Sequence, residues 1–124
     1  MKSILIVNSA PDAVDRFSDI LSNAGYHVIA AESGESAIEL APTINPDLVL
    51  IAIVMPELDG LQTASRLRSL LGARACPIVL LGIVPPIGID EKPLASLVDD
   101  YLNVDVPPDE LLACVTKYAG NRSA

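Results

Sequence analysis

Apolar residues along the chain follow two alternating spacings. Short unbroken runs are typical of buried strands, and spacings of three to four residues are typical of amphipathic helices. Strands are predicted at residues 3–7, 26–30, 48–54, 77–81 and 100–103. The interior residues of the first and third runs are all apolar. This pattern indicates strands that are buried on both faces of a parallel sheet.

Helical spacing fills the segments between these strands. Ser9 opens an S-x-x-D capping box, so we expect it to cap the first helix, which Gly25 ends. Ser33 is the expected cap of a short second helix that ends at Pro42. Further helices are predicted at 60–71, within 91–98, and in PPDELLACVTKYAG at 107–120. The prolines between 85 and 93 keep the fourth of these helices short.

Five strand–helix units in one run predict an α/β fold with a doubly wound, five-stranded parallel sheet of the flavodoxin-like type. The leading strand order is 2-1-3-4-5, with a crevice lined by the ends of strands one, three, four and five. We expect one domain over residues 1–119, followed by a tail or linker start at 120–124.

Composition narrows the possible partners and locations. The net charge is −8, and the chain has no cationic cluster beyond Arg66, Arg68 and Arg74, which argues against direct contact with nucleic acid. The isolated Cys76 and Cys114 indicate buried thiols in a reducing compartment. The chain has neither a signal-peptide pattern nor a run of eighteen apolar residues. A cytoplasmic protein without membrane contact is therefore expected.

Several blocks of the sequence resemble the receiver domains of bacterial response regulators. These blocks are ILIVNSAPD, GYHVIAAESGESAIEL, PDLVLIAIVMPELDG, CPIVLLG and DDYLNVDVPPDELLACV. The resemblance implies a receiver fold and a place in a two-component phosphorelay. It also implies a reaction in which an aspartate at the end of strand three accepts a phosphoryl group. In the family, two acids after strand one hold Mg²⁺, while a hydroxyl and a lysine at the ends of strands four and five bind the phosphoryl oxygens.

The resemblance places other residues at all of these positions. The acceptor position falls on Ala52, the acidic pair on Asn8 and Ser9, the hydroxyl on Gly82 and the lysine on Val104. These residues supply no carboxylate that could accept a phosphoryl group or hold Mg²⁺. They also supply neither the hydroxyl at the end of strand four nor the lysine at the end of strand five. We therefore expect a degenerate, pseudo-receiver site with no metal, no cofactor and no enzymatic activity. Asp59 is interpreted as a turn-forming residue before Gly60. Asp105, near the rim of the crevice, is the most plausible alternative phosphate acceptor, but it has no evident metal partners.

The resemblance assigns signal output to the face formed by the short fourth helix, the fifth strand and the final helix. Tyr101 occupies the position of the aromatic residue that normally responds to the strand-four hydroxyl. The neighbouring segment carries an apolar set, Ile87, Ile89, Leu94, Leu97 and Val98. This set either docks a protein partner or a second copy of the chain, or it closes the core over the crevice.

Two functions from different classes follow. The first is a phosphorylation-independent signalling module that acts through protein–protein interaction. The alternative is a sensor that binds a small ligand in the vacated crevice, where Ala52 and Gly82 free volume and the first helix could favour an anion. An enzyme ranks last, because no nucleophile–base pair or metal-ligand set is evident.

Overall fold

The computed structural model describes residues 2–52, 60–71, 76–82, 99–103 and 105–119, and for Gly60, Leu61, Leu71 and Tyr101 the backbone alone. The elements in chain order are β1 (Ser3–Val7), α1 (Pro11–Asn23), β2 (His27–Ala31), α2 (Gly34–Ile44), β3 (Leu48–Ala52), α3 (Gly60–Leu71), β4 (Ile78–Gly82), β5 (Asp100–Asn103) and α4 (Pro108–Tyr118). The expected short helix within 91–98 and the last two residues of the predicted third strand lie outside the described residues.

All neighbouring strands pair in parallel, and the sheet order is β2-β1-β3-β4-β5. The predicted fold class and strand order are therefore confirmed. The central strands β1, β3 and β4 are buried almost throughout, whereas β2 at the edge is half-exposed. This difference explains why β1 and β3 carry unbroken apolar sequences, since residues on both faces of a central strand are removed from water.

Each face of the sheet has its own apolar core. Leu5 and Ile51 pack toward α2 and α3, where Ala64 and Leu67 point inward as predicted. Ile6, the next residue of β1 after Leu5, packs toward α1 and α4. This division follows from the two-residue period of a strand, which sends successive side chains to opposite faces. Helices on both faces hold the strand ends in fixed positions.

The start of α1 differs from the prediction. Its N-cap is Ala10, which is extended (φ −94°, ψ 110°) and makes no side-chain capping bond. Ser9 is therefore not the cap. The reason is Pro11, which fixes the first helical position and disfavours a helical conformation at the residue before it, so the cap falls one residue after Ser9. The predicted stop is confirmed: Gly25 has φ +97°, and the amide of Tyr26 donates to the carbonyl of Leu21.

The end of α2 also differs from the prediction. Ser33 caps the helix by accepting a hydrogen bond from the amide of Ser36, as expected. The helix then passes through Pro42 and ends at Asn45, which adopts the left-handed conformation (φ 47°). Proline removes one amide donor, but the surrounding turns remain hydrogen-bonded, with the amide of Asn45 donating to the carbonyl of Ala41 at 2.8 Å.

The opposite edge of the sheet, where the strands begin, is held by a carboxylate. Asp99 Oδ2 accepts from the amide of Ile78 at 2.8 Å and from Arg68 Nη2 at 3.0 Å. Tyr118 donates its hydroxyl to Asp100 Oδ2 at 3.0 Å. Strand β4 begins at Ile78, one residue later than predicted, because Pro77 has no amide hydrogen to enter the ladder. Strand β2 is shifted in the same direction, since the amide of Tyr26 is used in the helix-ending turn.

Candidate functional site

The parallel register brings the ends of four strands to one edge of the sheet. Ala52 pairs with Leu81, and Gly82 pairs with Asn103. Asn8 directly follows Val7, which pairs with Ile51 on the neighbouring strand. The structure therefore places the predicted positions Asn8, Ala52 and Gly82 along one crevice edge, as the strand order implies. Val104 lies outside the described residues.

The centre of this edge is apolar. Ala52 is 7% exposed and belongs to the core cluster on the α2–α3 face of the sheet, together with Ile51 and Leu80. Gly82 is buried and contributes backbone only. These two positions can offer a ligand van der Waals contact and backbone groups, but no charge and no nucleophile.

Asn8 is the polar group at the end of β1. It is 9% exposed, and its Oδ1 accepts a hydrogen bond from the amide of Ala10 at 2.9 Å. The backbone amide of Asn8 donates to the carbonyl of Ala31 at 3.1 Å, and this bond ties the end of β1 to the end of β2. Ser9 is exposed. Asn8 therefore shapes the turn that leads into α1, while Ser9 faces solvent.

A second asparagine shapes the end of β5. Asn103 Oδ1 accepts from the amide of Asp105 at 3.0 Å, a turn in which the side chain replaces a backbone acceptor. The sequence reasoning did not identify Asn103, although an asparagine two residues before an aspartate at a strand end is a signal for this turn. Asp105, the alternative candidate for a phosphate acceptor, has an exposed side chain, and its backbone amide is the donor in this turn.

These residues do not fit a magnesium ion. Mg²⁺ in proteins is held mainly by carboxylate oxygens, whereas the described strand ends offer the amide oxygens of Asn8 and Asn103, each of which already accepts a backbone hydrogen bond. Across the described ranges, no three His, Cys, Asp or Glu side chains come together in a way that could hold a metal.

The two described groups with clearly raised pKa values lie beside Asp100 at the start of β5, at the opposite ends of the strands from the crevice. Burial, together with the charge of Asp100, raises the pKa of the Cys114 thiol to about 11. Burial and the hydrogen bond to Asp100 raise the pKa of Tyr118 to about 12. Both groups stay protonated near neutral pH. Cys76 and Cys114 are buried free thiols, as expected for isolated apolar cysteines.

The proposed output face is described only in part. Strand β5 and helix α4 frame it, but the side chain of Tyr101 and the whole of residues 83–98, with Ile87, Ile89, Leu94, Leu97 and Val98, lie outside the described residues. Assignment of that face therefore stays a prediction. None of the helices in the described segments combines the length and the apolar character that a bilayer crossing requires.

A cavity of about 490 Å³ opens beside the strand ends, between α1 and the end of β2. Its lining includes Asn8 and Ser9 together with Asp15 and Glu32, two carboxylates that the sequence reasoning did not connect. Asp15 lies on α1 and Glu32 directly follows β2, so only the fold brings them to the same cavity.

A family model and a curated relative each match almost the whole chain. The family model of the response regulator receiver domain matches residues 4–116. The polar-differentiation response regulator DivK of Brucella ovis is 26% identical over 120 residues, which cover 97% of this chain and 98% of that protein.

Solved structures agree with the fold. The chemotaxis protein CheY4 of Vibrio cholerae matches with a TM-score of 0.87 at 22% identity, over 95% of this chain and 98% of that chain. The receiver domain of the sensor histidine kinase PA1611 of Pseudomonas aeruginosa, solved with a magnesium ion coordinated in its active site cleft, matches with a TM-score of 0.87 at 26% identity, over 97% of this chain and 98% of that chain. The expected resemblance is thus confirmed, and the chain belongs to the response regulator receiver domain family of two-component signalling.

Proposed function

We propose that this receiver domain signals without being phosphorylated, through contact with a protein partner. The observation that carries the proposal is the apolar strand-end edge: Ala52 lies buried where the family places its acceptor, beside the bare backbone of Gly82. Asn8, at the position of the first metal-binding acid, uses its oxygen to hold the turn into α1. The protein would act as a constitutive adaptor rather than as an enzyme.

The joint loss of the reactive groups has a physical rationale. A receiver that lost only its acceptor would keep two carboxylates and a lysine in a partly buried crevice, where unpaired charges cost on the order of several kcal/mol. Removal of the acids and the lysine together leaves an edge that packs as an ordinary sheet end. The chain therefore retains the scaffold, and with it the surfaces that partners recognise.

The direct test is phosphotransfer. The protein is incubated with acetyl phosphate and Mg²⁺, and its intact mass is measured before and after acid treatment. A receiver domain that retains its acceptor aspartate serves as the positive control under the same conditions. We expect no adduct on this chain. A phosphoryl adduct that is labile to hydroxylamine, as acyl phosphates are, would contradict the proposal.

The partner surface is the second part of the proposal. The face around β5 and α4 is the candidate for a protein partner or a homodimer, with Tyr101 near its centre. Tyr101→Ala is compared with a matched aromatic change on the opposite edge strand, such as His27→Ala at the exposed start of β2, in affinity capture from the host and in light scattering. We expect Tyr101→Ala alone to release the specific partner or to shift a dimer toward monomer. Retention of every specific partner by Tyr101→Ala would place the binding surface elsewhere.

A small-ligand sensor is the competing function. The cavity beside the strand ends supports it in part, because Asn8 and Ser9 line this cavity, whereas Ala52 and Gly82, the positions expected to free volume for a ligand, are not among its lining residues. A ligand that binds the folded protein raises its melting temperature as its concentration increases.

A further inference from the structure

The cavity between α1 and the end of β2 has a mixed apolar and polar lining. Val14 and Ala30 supply part of the apolar surface, and Asn8, Ser9, Asp15 and Glu32 supply the polar groups. Its volume of about 490 Å³ lies within the range of small-molecule sites. It is therefore large enough for a ligand with both an apolar body and a polar head.

Asn8 presents an unused donor to this cavity. Its Oδ1 accepts from the amide of Ala10, so the carbonyl end of the side chain is fixed and its amino end must face the other way. The residue is about nine-tenths buried, yet the Nδ2 group has no hydrogen-bond partner within the described part of the chain. Because the described residues include no fully buried side-chain nitrogen or oxygen that lacks a partner, Nδ2 keeps some contact with solvent. A ligand in the cavity that brings an acceptor oxygen can therefore take the place of water at this donor.

The charged groups of the cavity favour a cation. Asp15 and Glu32 line it, and the described lining residues include no Lys or Arg. The positive end of α1 opposes this field only in part, because a helix terminus is equivalent to about half an elementary charge. A dissolved metal ion is a poor fit, since the described residues form no group of three or more metal-binding side chains. An organic ammonium group needs no such cage.

We propose that this cavity binds a small primary amine that carries a carbonyl oxygen next to its ammonium group and a short aliphatic body. The ammonium lies toward Asp15 and Glu32, the carbonyl accepts from Asn8 Nδ2, and the aliphatic body covers Val14 and Ala30. The site is independent of phosphotransfer, so it stands or falls separately from the proposed adaptor function.

Leucinamide is a probe that has these three features in one small molecule. Titrated into ¹⁵N-labelled protein at pH 6.5, below the usual pKa range of an α-amino group, it is a cation. We expect saturable shifts of the amides of residues 8–9 and 30–32, with a dissociation constant on the order of 10 mM, as suits a ligand of this size. N-acetyl-leucinamide, which lacks the charge, and leucine, which adds a carboxylate, should each bind at least about threefold more weakly.

Matched charge variants separate a site from general attraction. Asp15→Asn and Glu32→Gln should each weaken leucinamide binding roughly two- to fivefold, the range of solvent-exposed ion pairs. Asp12→Asn makes the same charge change on an exposed residue of α1 outside the lining, and it should leave the affinity unchanged. Any of three results would overturn the proposal. Asp12→Asn could weaken binding as much as the lining variants do, or N-acetyl-leucinamide could bind as tightly as leucinamide. The third result is no saturable shift at 50 mM leucinamide, roughly five times the expected dissociation constant.

Discussion

Replacing Ala52 with aspartate returns the family's reactive group to the end of β3 and tests the surroundings of that position. Ala52 is 7% exposed and packs with the α2–α3 side of the core, so the new carboxylate would lie in a poorly solvated position without the acids, metal or lysine that accompany it in the family. Desolvation disfavours the charged form, so the folded-state pKa of the new carboxyl should rise above its unfolded value of about 3.9.

The size of the effect follows from linkage. A fully buried carboxyl shifts by up to 3–5 units, and a strand-end position beside a crevice should shift by roughly 2 units, or about 3 kcal/mol at pH 7.5. Because the folded pKa is raised, the folded state binds the proton more tightly than the unfolded state does. Relative stability is therefore retained below about pH 4 and lost as pH rises to about 6. For a domain of this size the loss corresponds to a fall in Tm on the order of 10 °C.

The assay is urea unfolding followed by circular dichroism at pH 7.5 and pH 4.5, with Ala52→Asn as the isosteric control. The two variants should differ by about 3 kcal/mol at pH 7.5 and by much less at pH 4.5. Addition of 10 mM MgCl₂ should not restore Ala52→Asp, and acetyl phosphate should not modify it. If Ala52→Asp is as stable as Ala52→Asn at pH 7.5, or if Mg²⁺ rescues it, the crevice is not the apolar, metal-free edge inferred from its residues.

Three further outcomes are expected. Asp99→Ala removes the acceptor of the first β4 amide and the ion-pair partner of Arg68. Because the carboxylate is partly exposed, the free energy of unfolding in urea should fall by about 1–2 kcal/mol. The control Asp12→Ala, at an exposed position, should lower it by less than about 0.5 kcal/mol. Gly25→Ala meets no atom within 4 Å but must adopt φ +97°. Backbone strain alone should therefore lower the free energy of unfolding by about 1–2 kcal/mol, and an unchanged free energy of unfolding would refute the assigned turn. The raised pKa values of Cys114 (about 11) and Tyr118 (about 12) mean that the folded state holds these protons more tightly, so stability is full below pH 9 and falls as pH rises through 11 to 12. Cys114→Ala and Tyr118→Phe should each flatten that alkaline fall in urea titrations, and a slope identical to the parent protein would contradict the assignment.

Several elements predicted from local periodicity lie where the sequence placed them, while β2 and β4 are each shifted by one residue. The apolar runs predicted β1 and β5 at their observed bounds, the helical spacing predicted α3, and Gly25 ended α1 as expected. Strand order followed from the alternation of strands and helices and the rule of right-handed crossovers. Ala52 and Gly82 met at one edge because the carboxyl ends of parallel strands always do.

Tertiary structure decided the features that depend on contacts between distant segments or on competition between neighbouring residues. Pro11 moved the α1 cap from Ser9 to Ala10, and the hydrogen bonds around Pro42 carried α2 past a residue that usually ends helices. The cavity exists because α1 and the end of β2 bring Asp15 and Glu32 to one wall, and a linear pattern carries no signal for that approach. Local spacing is set by the backbone geometry of a single element, whereas the environment of a side chain is set by elements that only folding brings together.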